Sequence, residues 1–389
     1  MHSRENPLSW PKSDADHLLV NSAQMASLEE KIIANGLPVE SLMEKAGQAI
    51  ANWLLKNKDL LKNGVVILIG PGHNGGDGLV VARELYLSSI DVQLWCPLQI
   101  RQPLTKKHWE YVKWLGIEQL KNKPDVENKS LWIEALFGLN QSRPLPESIA
   151  QLLLAREKAL PGQLISLDVP AGICSNTGKV FSGGAAVSAQ TLTLGLIKRG
   201  LIQDEAIAHV GNLTRIDIGI PLNLLNKFSQ NHPKVICTED LLTVPWPQID
   251  SCAGKYERGR LLVIAGSNKY RGALLLALQG ALASGAGNIQ TAIPQSLAGS
   301  LWEIAPEVVV VGALESSSAG GLSISNWLQG YDLNKVDTVL IGPGIGESEE
   351  QWSLMANSLE SFSGLLVIDA DGLNRLAICK EGWRWLLRR

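Results

Sequence analysis

The segment from residue 65 to residue 83, VVILIGPGHNGGDGLVVAR, constrains the fold of this chain more than any other. Residues 65–69 are apolar and mostly β-branched, which predicts a buried strand. A glycine-rich turn follows at 70–78, and a helical pattern resumes at 79–85. Glycines permit sharp turns and let a ligand approach backbone N–H groups at the start of a helix. The segment therefore predicts a binding loop beyond the carboxyl end of a strand.

The same turn also matches the Gly-x-Gly-x-x-Gly pattern of dinucleotide-binding Rossmann folds, through Gly70, Gly72 and Gly75. That fingerprint expects an acidic residue at the end of the next strand, where it holds a ribose hydroxyl. Here the next strand, at 92–96, ends in Trp-Cys-Pro, and Asp91 precedes it instead. The Gly-Lys-Ser/Thr sequence of a phosphate loop does not follow either. The pattern therefore disfavours an ordinary dinucleotide-binding reductase.

The composition excludes several classes of protein. The chain has 389 residues, which suffices for two domains, and its 45% hydrophobic and 19% charged residues are typical of a globular protein with a large core. The net charge of −3 is scattered along the sequence, so no nucleic-acid-binding surface is expected. The five cysteines form no C-x-x-C pair, which favours reduced thiols over disulfides or a zinc site.

Two segments could in principle target or anchor the chain, and neither has the required pattern. The first 25 residues contain several charged residues and no apolar h-region, so no secretory signal is expected. Residues 272–289 are rich in leucine and alanine but include glycines, serines and Gln279. This composition favours a buried helix packed on a sheet over a membrane span. We therefore expect a cytoplasmic protein with no membrane partner.

Strand and helix patterns alternate through the first half of the chain. Two amphipathic helices are predicted first, at 28–33 and 39–55. Strand patterns follow at 65–69, 92–96, 131–137, 164–168, 191–194 and 214–218, and helix patterns at 77–86, 106–115 and 148–156. Helices of this length between strands imply parallel crossovers. The first half is thus predicted to be a doubly wound, parallel α/β sheet.

A proline-containing stretch of mixed polarity at 221–259 interrupts this alternation and predicts a linker. We place the two domains at 1–235 and 236–389. The second domain resumes the α/β pattern with strands at 261–265, 336–341 and 365–368. Three strands are too few for a parallel sheet that is covered on both faces, so the second domain is expected to be incomplete.

Three loops of the first domain are expected to share one crevice, because parallel strands place their carboxyl ends at one edge of the sheet. These loops are 70–78, 138–144 and 168–172. Asp168 follows a strand and precedes a proline and a glycine, so it would lie in a rigid turn at the crevice. It is our candidate general acid/base. An N-cap or Asx-turn aspartate explains Asp168 equally well, and for Asp77 a helix N-cap is the stronger interpretation.

Asn74 and Glu134 offer oxygen ligands to a hard cation. Since no third acid lies nearby in the pattern, they fit a weakly held monovalent ion better than Mg²⁺. An ordinary charge at the end of a strand is the alternative interpretation of Glu134. His73 is either a base, a ligand-binding residue or a solvated loop histidine. The sequence contains no Ser/His/Asp or Cys/His arrangement that indicates nucleophilic catalysis.

Distinctive motifs occur along nearly the whole chain. In the first half they are LMEKAG at 42–47, GPGHNGGDGLVVAR at 70–83, EALFGLN at 134–140, LDVPAGICSNTG at 167–178 and TLTLGLIKRGL at 191–201. In the second half they are KYERGRLLVIAGS at 255–267, APEV at 305–308, IGPGIG at 341–346 and VIDADGLN at 367–374. Taken together, these motifs resemble those of the bifunctional NAD(P)H-hydrate repair enzymes, which join an epimerase to an ADP/ATP-dependent dehydratase. The resemblance implies a Rossmann-like epimerase domain followed by a partial ribokinase-like α/β domain.

The resemblance also implies roles for the matching residues. Asp168 would be the acid/base that contacts the substrate, which is NADH or NADPH hydrated at C6. The other substrate-binding residues would be His73, Asn74, Gly75, Gly76, Asp77, Gly138, Leu139, Asn140, Gln141, Ser142, Arg143 and Pro144 in the first domain, and Ala273 and Gly346 in the second. Asn74, Glu134 and Ala171 would surround a K⁺ ion. Family members often have Asn, Asp and Ser where this chain has His73, Glu134 and Ala171, and Ala171 offers a cation only its backbone carbonyl.

For the second domain, the resemblance implies ADP or ATP with Mg²⁺ as cofactors. A His-Pro-Gly-Glu turn, a Lys-Gly nucleotide loop and a Gly-Ser-Gly-Asp anion hole would all lie beyond Arg389. We therefore expect the dehydratase domain, as given, to be inactive. The resemblance further implies a homo-oligomer that acts on small-molecule substrates, without a nucleic-acid partner.

The expected activity of the first domain is interconversion of the R and S hydrates. C6 of a hydrated nicotinamide bears both a hydroxyl and the ring nitrogen. Protonating the hydroxyl, or removing its proton, allows its loss or the opening of the ring, and re-closure from the other face inverts that centre. One carboxylate that both donates and accepts a proton suffices, and no redox cofactor is needed. The alternative is a non-catalytic nucleotide-binding or interaction protein that keeps the fold and has lost catalysis through Glu134 and Ala171. The presence of Asp168 and of the complete glycine loop favours the enzyme.

Overall fold

The computed structural model describes residues 12–228, 231–243, 250–350, 352–379 and 384–388. The chain divides into two compact units, Met1–Val244 and Pro245–Arg389. Each unit is built on its own parallel sheet with helices packed against it. The α/β class predicted from the alternation of strand and helix patterns is confirmed.

The strands of the first unit are short, and the pairs that they form are parallel. They are β1 (Leu19–Val20), β2 (Val65–Ile69), β3 (Val92–Trp95), β4 (Glu118–Gln119), β5 (Leu131–Ala135), β6 (Leu164–Leu167), β7 (Gln190–Leu194), β8 (Ile197–Lys198) and β9 (Asn212–Ile216). The helices are α1 (Ser22–Ala34), α2 (Val39–Lys56), α3 (His73–Leu87), α4 (Pro103–Trp114), α5 (Glu147–Ala159), α6 (Asp204–Val210), α7 (Leu222–Leu225) and α8 (Thr238–Thr243). The main sheet has the order β4-β3-β2-β5-β6-β7-β9, and β1 pairs separately with β8.

The order of the strands reverses beside β2. The chain runs outward from β2 through β3 and β4 on one side and then returns to β5 on the other side. The connections that leave the carboxyl ends of β2 and β5 therefore diverge and open a crevice between them. In open α/β sheets such a switch point is where ligands bind.

Helices cover both faces of the main sheet, and β2 shows how the sequence specifies this. Val65, Ile67 and Ile69 point into one apolar cluster, while Val66 and Leu68 point into another on the opposite face. Successive side chains of a strand alternate between its two faces. A strand that is buried on both faces must therefore be apolar throughout, as the segment 65–69 is.

The glycines of the segment 70–78 are needed mainly because the backbone packs closely there. A Cβ atom on Gly70 would lie 1.7 Å from the carbonyl oxygen of Leu136, and one on Gly75 would lie 2.2 Å from the carbonyl oxygen of Gly70. This packing lets α3 begin at His73, directly after the turn that follows β2. The prediction that the helix begins at 77 was wrong, because the glycines are accommodated inside its first turns.

The second unit contains β10 (Arg260–Ile264), β11 (Asn288–Pro294), β12 (Val309–Leu314), β13 (Thr338–Ile341) and β14 (Leu365–Ile368). Its helices are α9 (Arg271–Ala283), α10 (Gln295–Ala298), α11 (Ser325–Gly330), α12 (Trp352–Glu360) and α13 (Asp371–Ala377). The strands form a parallel sheet in the order β12-β11-β10-β13-β14. This sheet, like the first, has a switch point, which lies between β10 and β13.

The prediction of three strands for the second sheet was wrong, because β11 and β12 were not recognised. β11 carries Asn288, Gln290 and Thr291 among its apolar residues, so it lacks a continuous apolar run. β12 is an edge strand with exposed positions, and it contains Gly312, whose Cβ would lie 2.6 Å from the ring of Trp327. Polar residues and a glycine interrupt the apolar runs by which the two strands would be recognised in the sequence.

The apolar segment 272–289 is divided between two elements rather than forming one long helix. Most of it lies in α9, which buries Leu274, Leu278 and Ala281, and its end forms the start of β11. Among the described residues, every helix is too short or too polar to traverse a bilayer.

Part of the predicted linker 221–259 packs on the first unit. His17 contacts Asp240 of α8 through Nε2, at 3.0 Å, and also hydrogen-bonds Asp14. Burial lowers the pKa of His17, but the bonds to the two carboxylates outweigh this and raise it. Residues 229–230 and 244–249 of the linker lie outside the described residues. The domain boundary at 235/236 stays a prediction.

Candidate active site

A cavity of about 910 Å³ lies at the carboxyl edge of the first sheet, at the switch point between β2 and β5. Its walls come from the start of α3, the segment before α4, the loop after β5 and the turn after β6. Residues of α1 and β8, which the sequence did not place at the site, complete it. Cavities that hold cofactors and other small ligands have volumes of this order, roughly 300–1,000 Å³.

Asp168 lies in the turn directly after β6 and lines this cavity. Its φ is +66°, in the left-handed region that few residues other than glycine adopt. Its Oδ1 accepts a hydrogen bond from the N–H of Leu194 at 3.2 Å. An Asx turn would need an N–H two residues on, where Pro170 has none. Among the described residues no helix begins at Asp168. The capping and turn interpretations were therefore wrong, and the side chain is held at the cavity.

Lys198 of β8 forms an ion pair with Asp168 inside the protein. Its Nζ lies 2.5 Å from Oδ1 of Asp168, 2.5 Å from the carbonyl oxygen of Leu194 and 3.2 Å from Oγ1 of Thr193. Only 1% of Lys198 and 7% of Asp168 is exposed. Because a buried ammonium needs a partner for each of its protons, these three contacts make the burial tolerable. Lys198 was not predicted as a site residue.

Two further carboxyl groups line the cavity. Asp77 is buried within α3, whose N-cap is Gly72, so the interpretation of Asp77 as an N-cap was wrong. Burial, followed by the charges of Asp168 and Glu29, raises the pKa of Asp77 well above its usual range. Glu29 of α1 is half-buried, and burial followed by the charge of Asp168 raises its pKa to about 7. The sequence did not point to Glu29.

Glu134, at the end of β5, is fully buried. Its carboxylate accepts hydrogen bonds from the N–H of Leu136 at 2.7 Å, the N–H of Ala171 at 3.0 Å and the hydroxyl of Ser166 at 2.9 Å. Burial raises the pKa of Glu134 to about 7, and these hydrogen bonds offset part of the effect. The interpretation as an ordinary strand-end charge was wrong. Glu134 ties the loop after β5 to the turn after β6.

Asn74 lies in the first turn of α3, and its amide is oriented by two carbonyl groups. Nδ2 donates to the oxygens of Phe137 at 3.1 Å and Leu167 at 3.3 Å. Oδ1 is buried and has no hydrogen-bond partner among the described residues. A buried acceptor without a partner costs about 1–3 kcal/mol, so this oxygen is suited to bind a cation or a ligand. Ala171 has no side-chain oxygen to add, and its carbonyl accepts from Ala186 at 2.8 Å.

The segment 138–144 forms one wall of the cavity, and Gln141 connects it to the turn after β6. Nε2 of Gln141 donates to the oxygen of Pro170 at 3.1 Å, and its Oε1 accepts from the N–H of Gly172 at 2.7 Å. The remaining cavity-lining residues of the segment are Gly138, Leu139, Asn140, Ser142, Arg143 and Pro144. His73 is exposed and also lines the cavity, whereas Gly75 and Gly76 are buried behind it.

The start of α3 is suited to hold an anion. Its N-cap, Gly72, makes no side-chain capping bond, so the first N–H groups of the helix stay available at the cavity. Arg101 and Arg143 are exposed at the same cavity. A helix N-terminus with two nearby guanidinium groups is the combination that binds phosphate groups well.

In the second unit, Ala273 and Gly346 lie beyond the carboxyl ends of the neighbouring strands β10 and β13. The N–H of Gly346 donates to Oδ2 of Asp371 at 2.9 Å, and its carbonyl accepts from Nε of Arg375 at 2.7 Å. A Cβ on Gly344 would lie 2.6 Å from that of Ala273. The fold therefore brings both predicted residues to the switch point of the second sheet.

The two units match two protein families. Residues 39–200 match the family described as YjeF-related protein N-terminus, and residues 261–384 match NAD(P)H-hydrate dehydratase. A bifunctional NAD(P)H-hydrate repair enzyme from Gloeobacter violaceus is 38% identical over 366 residues, which cover 92% of this chain and 70% of that protein. The chain belongs to the bifunctional NAD(P)H-hydrate repair enzymes. The resemblance stated from the sequence motifs is thus confirmed.

Two further relatives from the repair-enzyme family give the same result. Relatives with the same description from a Synechocystis strain and from Thermosynechococcus vestitus are 37% and 35% identical, each over 92% of this chain, and 67% and 70% of those proteins are covered. The crystal structure of yeast ynu0 aligns with this chain at 21% identity and a TM-score of 0.46. The alignment covers 56% of this chain and 98% of the yeast chain.

Proposed function

We propose that the first unit interconverts the R and S hydrates of NADH and NADPH at C6, with Asp168 as an acid/base of the reaction. The observation that carries this proposal is the buried pair of Asp168 and Lys198 at the edge of a cavity large enough for a nucleotide. The described activity of the relatives supplies the substrate class. The pair supplies a carboxylate fixed in position where the substrate would lie.

The chemistry needs a proton donor and a proton acceptor and no electron carrier. When the C6 hydroxyl is protonated, the C6–O bond breaks and its electron pair leaves with water, while the lone pair of N1 stabilises the resulting cation. Water then adds to the opposite face of C6 and gives its extra proton to a base. The atoms of the two hydrates are the same, so the reaction is an isomerisation that general acid–base catalysis accelerates.

The rest of the cavity would bind and orient the nucleotide. We propose that the uncapped start of α3 and the guanidinium groups of Arg101 and Arg143, which line the cavity, would hold the pyrophosphate. Contacts with parts of the substrate remote from C6 supply binding energy that fixes the reacting ring against the acid/base. His73, Asn140 and Ser142 add further polar contacts at the same cavity.

We include a K⁺ ion in the proposal. The unpartnered Oδ1 of Asn74 and the buried carboxylate of Glu134 fit a hard monovalent cation, and Ala171 could offer only its carbonyl. When bound, the ion would add positive charge beside the substrate. Since Ala171 contributes no hydroxyl, we propose that this chain holds K⁺ weakly.

Replacing Ala171 with serine should strengthen that site, because it adds an oxygen ligand beside Glu134. We expect the K⁺ concentration for half-maximal hydrate exchange to fall severalfold, with the maximal rate little changed. The measurement is the exchange rate against KCl, with ionic strength held constant by tetramethylammonium chloride. Ala150→Ser, at a buried alanine of the same apolar cluster that lies on α5 and does not line the cavity, is the control. If Ala171→Ser and wild type respond identically, Ala171 is not at a cation site.

The proposed function is tested by incubating the full chain with purified R-hydrate and following the S-hydrate by chromatography. We expect equilibration well above the spontaneous rate, and loss of that acceleration in Asp168→Asn. A protein that binds the hydrate without accelerating exchange would instead be the non-catalytic nucleotide-binding protein considered as the alternative.

For the second unit we propose contacts of Ala273 and Gly346 with the hydrate, and ADP or ATP with Mg²⁺ as cofactors. The assay is the reappearance of NADH absorbance after S-hydrate and nucleotide are added to the full chain. We further propose that the chain self-associates, which light scattering measures directly.

A further inference from the structure

The cavity contains more acidic groups than the ion pair of Asp168 and Lys198 requires. Glu29 reaches it from α1, together with Met25 and Ala26 of the same helix, and Asp77 reaches it from α3. Within the described residues, neither Glu29 nor Asp77 makes a side-chain hydrogen bond or an ion pair. The element that carries Glu29 is separate from the turn that carries Asp168, so the two carboxyl groups approach the cavity from different walls.

The three carboxyl groups have different surroundings. Asp168 touches the ammonium of Lys198 at 2.5 Å, which stabilises its negative charge. Asp77 is buried beside two other acids, and burial, followed by the charges of Asp168 and Glu29, raises its pKa well above its usual range. Burial, followed by the charge of Asp168, raises the pKa of Glu29 to about 7, and the charge of Lys198 offsets part of this rise. Carboxyl groups whose environments separate their protonation states in this way are the usual acid and base of an active site.

In the route proposed above, one proton goes to the departing C6 hydroxyl and another leaves the water that returns on the opposite face of the ring. A single carboxylate can do both in turn if it reaches both faces, whereas two carboxyl groups on different walls of the cavity can each serve one face. Asp168 is held at one wall of the cavity by Lys198, so we assign the second task to it and look for the donor on another wall.

We propose that Glu29 is the second catalytic acid/base of this site: it protonates the C6 hydroxyl of one hydrate while Asp168 accepts the proton of the water that adds to the other face. The inference rests on the epimerase function proposed above. In the reverse direction the roles exchange, with protonated Asp168 as the donor and ionised Glu29 as the acceptor. After each turnover one proton has moved from one carboxyl group to the other, and exchange with solvent restores the starting state.

Other charged groups face the same cavity and could influence the titration of Glu29. They are His73 and Asp77 of α3, Arg101 before α4, Arg143 in the loop after β5, Asp168 after β6 and Lys198 of β8. None of them lies on α1, so a change at Glu29 leaves their elements intact. The protonated form of Glu29 is the donor in one of the two directions. The initial rate of conversion in that direction should therefore fall as the pH rises through about 7.

The test is Glu29→Gln in the full chain, with Glu30→Gln as the matched control. Glu30 is the next residue of α1, is exposed and does not line the cavity. We expect Glu29→Gln to slow exchange by about 10²- to 10³-fold, within the range of general acid catalysis, and to abolish the fall in rate near neutral pH. The affinity for NADPH, measured by fluorescence titration, should change little. Glu30→Gln should behave as wild type.

The outcomes separate this inference from the proposed function. If wild type exchanges the hydrates, Asp168→Asn does not, and Glu29→Gln matches wild type, then the role of Glu29 is wrong and the epimerase function stands. If wild type itself fails to accelerate exchange, the proposed function fails. The inference would also be overturned if the Glu29→Gln protein exchanges the hydrates slowly but keeps the pH profile of wild type and binds NADPH weakly. Glu29 would then contribute to the shape of the binding cavity and not to proton transfer. Glu29→Asp keeps a carboxyl group and should restore the pH dependence, with a reduced rate.

Discussion

Replacing Asp168 with asparagine should slow exchange of the R and S hydrates by about 10³- to 10⁴-fold, the upper part of the range for a lost acid/base. Asparagine has nearly the same shape, and its Oδ1 can still accept from Lys198 and from the N–H of Leu194. It cannot accept or release the proton that the reaction moves. The rate should therefore fall far more than the affinity for the substrate. The measurement is the exchange rate at saturating hydrate, together with the dissociation constant for NADPH.

Asp91→Asn is the matched control for this prediction. Asp91 is exposed, belongs to the same unit and lies away from the cavity, so its loss should leave the exchange rate unchanged. Circular dichroism should show that Asp168→Asn keeps the helix content of wild type. An Asp168→Asn protein that is folded and exchanges the hydrates within a factor of a few of wild type would contradict the assignment of Asp168.

The sequence predicted the fold of the first unit well where its signals are local. The run at 65–69 is apolar on both faces of β2, and that property is visible without knowing any neighbour. Asp168 was identified for a similar reason, since a strand followed by Asp-Val-Pro-Ala-Gly places its acid at the edge of a parallel sheet. The crevice at the switch point follows from the same alternation of strands and helices.

The sequence did not predict the residues whose roles depend on long-range packing. Lys198 lies in β8, which is two residues long and pairs only with the equally short β1 among the described strands. Glu29 lies on an amphipathic helix, where a glutamate normally faces solvent. Both become site residues because α1 and β8 pack over the end of the main sheet. The sequence pattern around Glu29 and around Lys198 does not indicate this packing.

The electrostatic surroundings of Glu134 could not be predicted from the sequence either. Its type and its place after a run of apolar residues were visible, and the expectation was either a cation ligand or a surface charge. Glu134 is completely buried, and its hydrogen bonds come from two separate segments, Leu136 in the loop after β5 and Ser166 and Ala171 in β6 and the turn after it. Only their assembly shows that the carboxylate also joins two loops of the cavity. A change at Glu134 would therefore affect loop geometry as well as any bound cation.

The position of Lys198 explains how a charged carboxylate persists in this interior. The pair is almost completely buried, and removing one partner of such a pair leaves the other charged group without compensation. Removing both partners leaves no buried charge. The stability and the activity of the first unit should therefore respond differently to single and double substitutions, which provides a test that does not depend on the substrate.

Replacing Lys198 with methionine should lower the free energy of unfolding of the first unit by about 3–5 kcal/mol, the usual cost of breaking a buried pair. Methionine has a similar length and no charge, so the loss comes mainly from Asp168 facing no cation. The double variant Asp168→Asn/Lys198→Met should recover most of this stability, because no charge remains, yet it should not exchange the hydrates. Amide hydrogen exchange of peptides from β6 and β7 in the full chain measures the stability of this region.

Lys179→Met is the control, since Lys179 is exposed in the same unit and its loss should alter the free energy of unfolding by less than about 0.5 kcal/mol. The coupling energy from the double-mutant cycle is the decisive quantity. If the double variant is as unstable as Lys198→Met alone, the destabilisation comes from lost packing and not from an uncompensated Asp168. If Lys198→Met is as stable as the control, the ion pair does not hold Asp168, and the geometry on which its acid/base role depends is not maintained by Lys198.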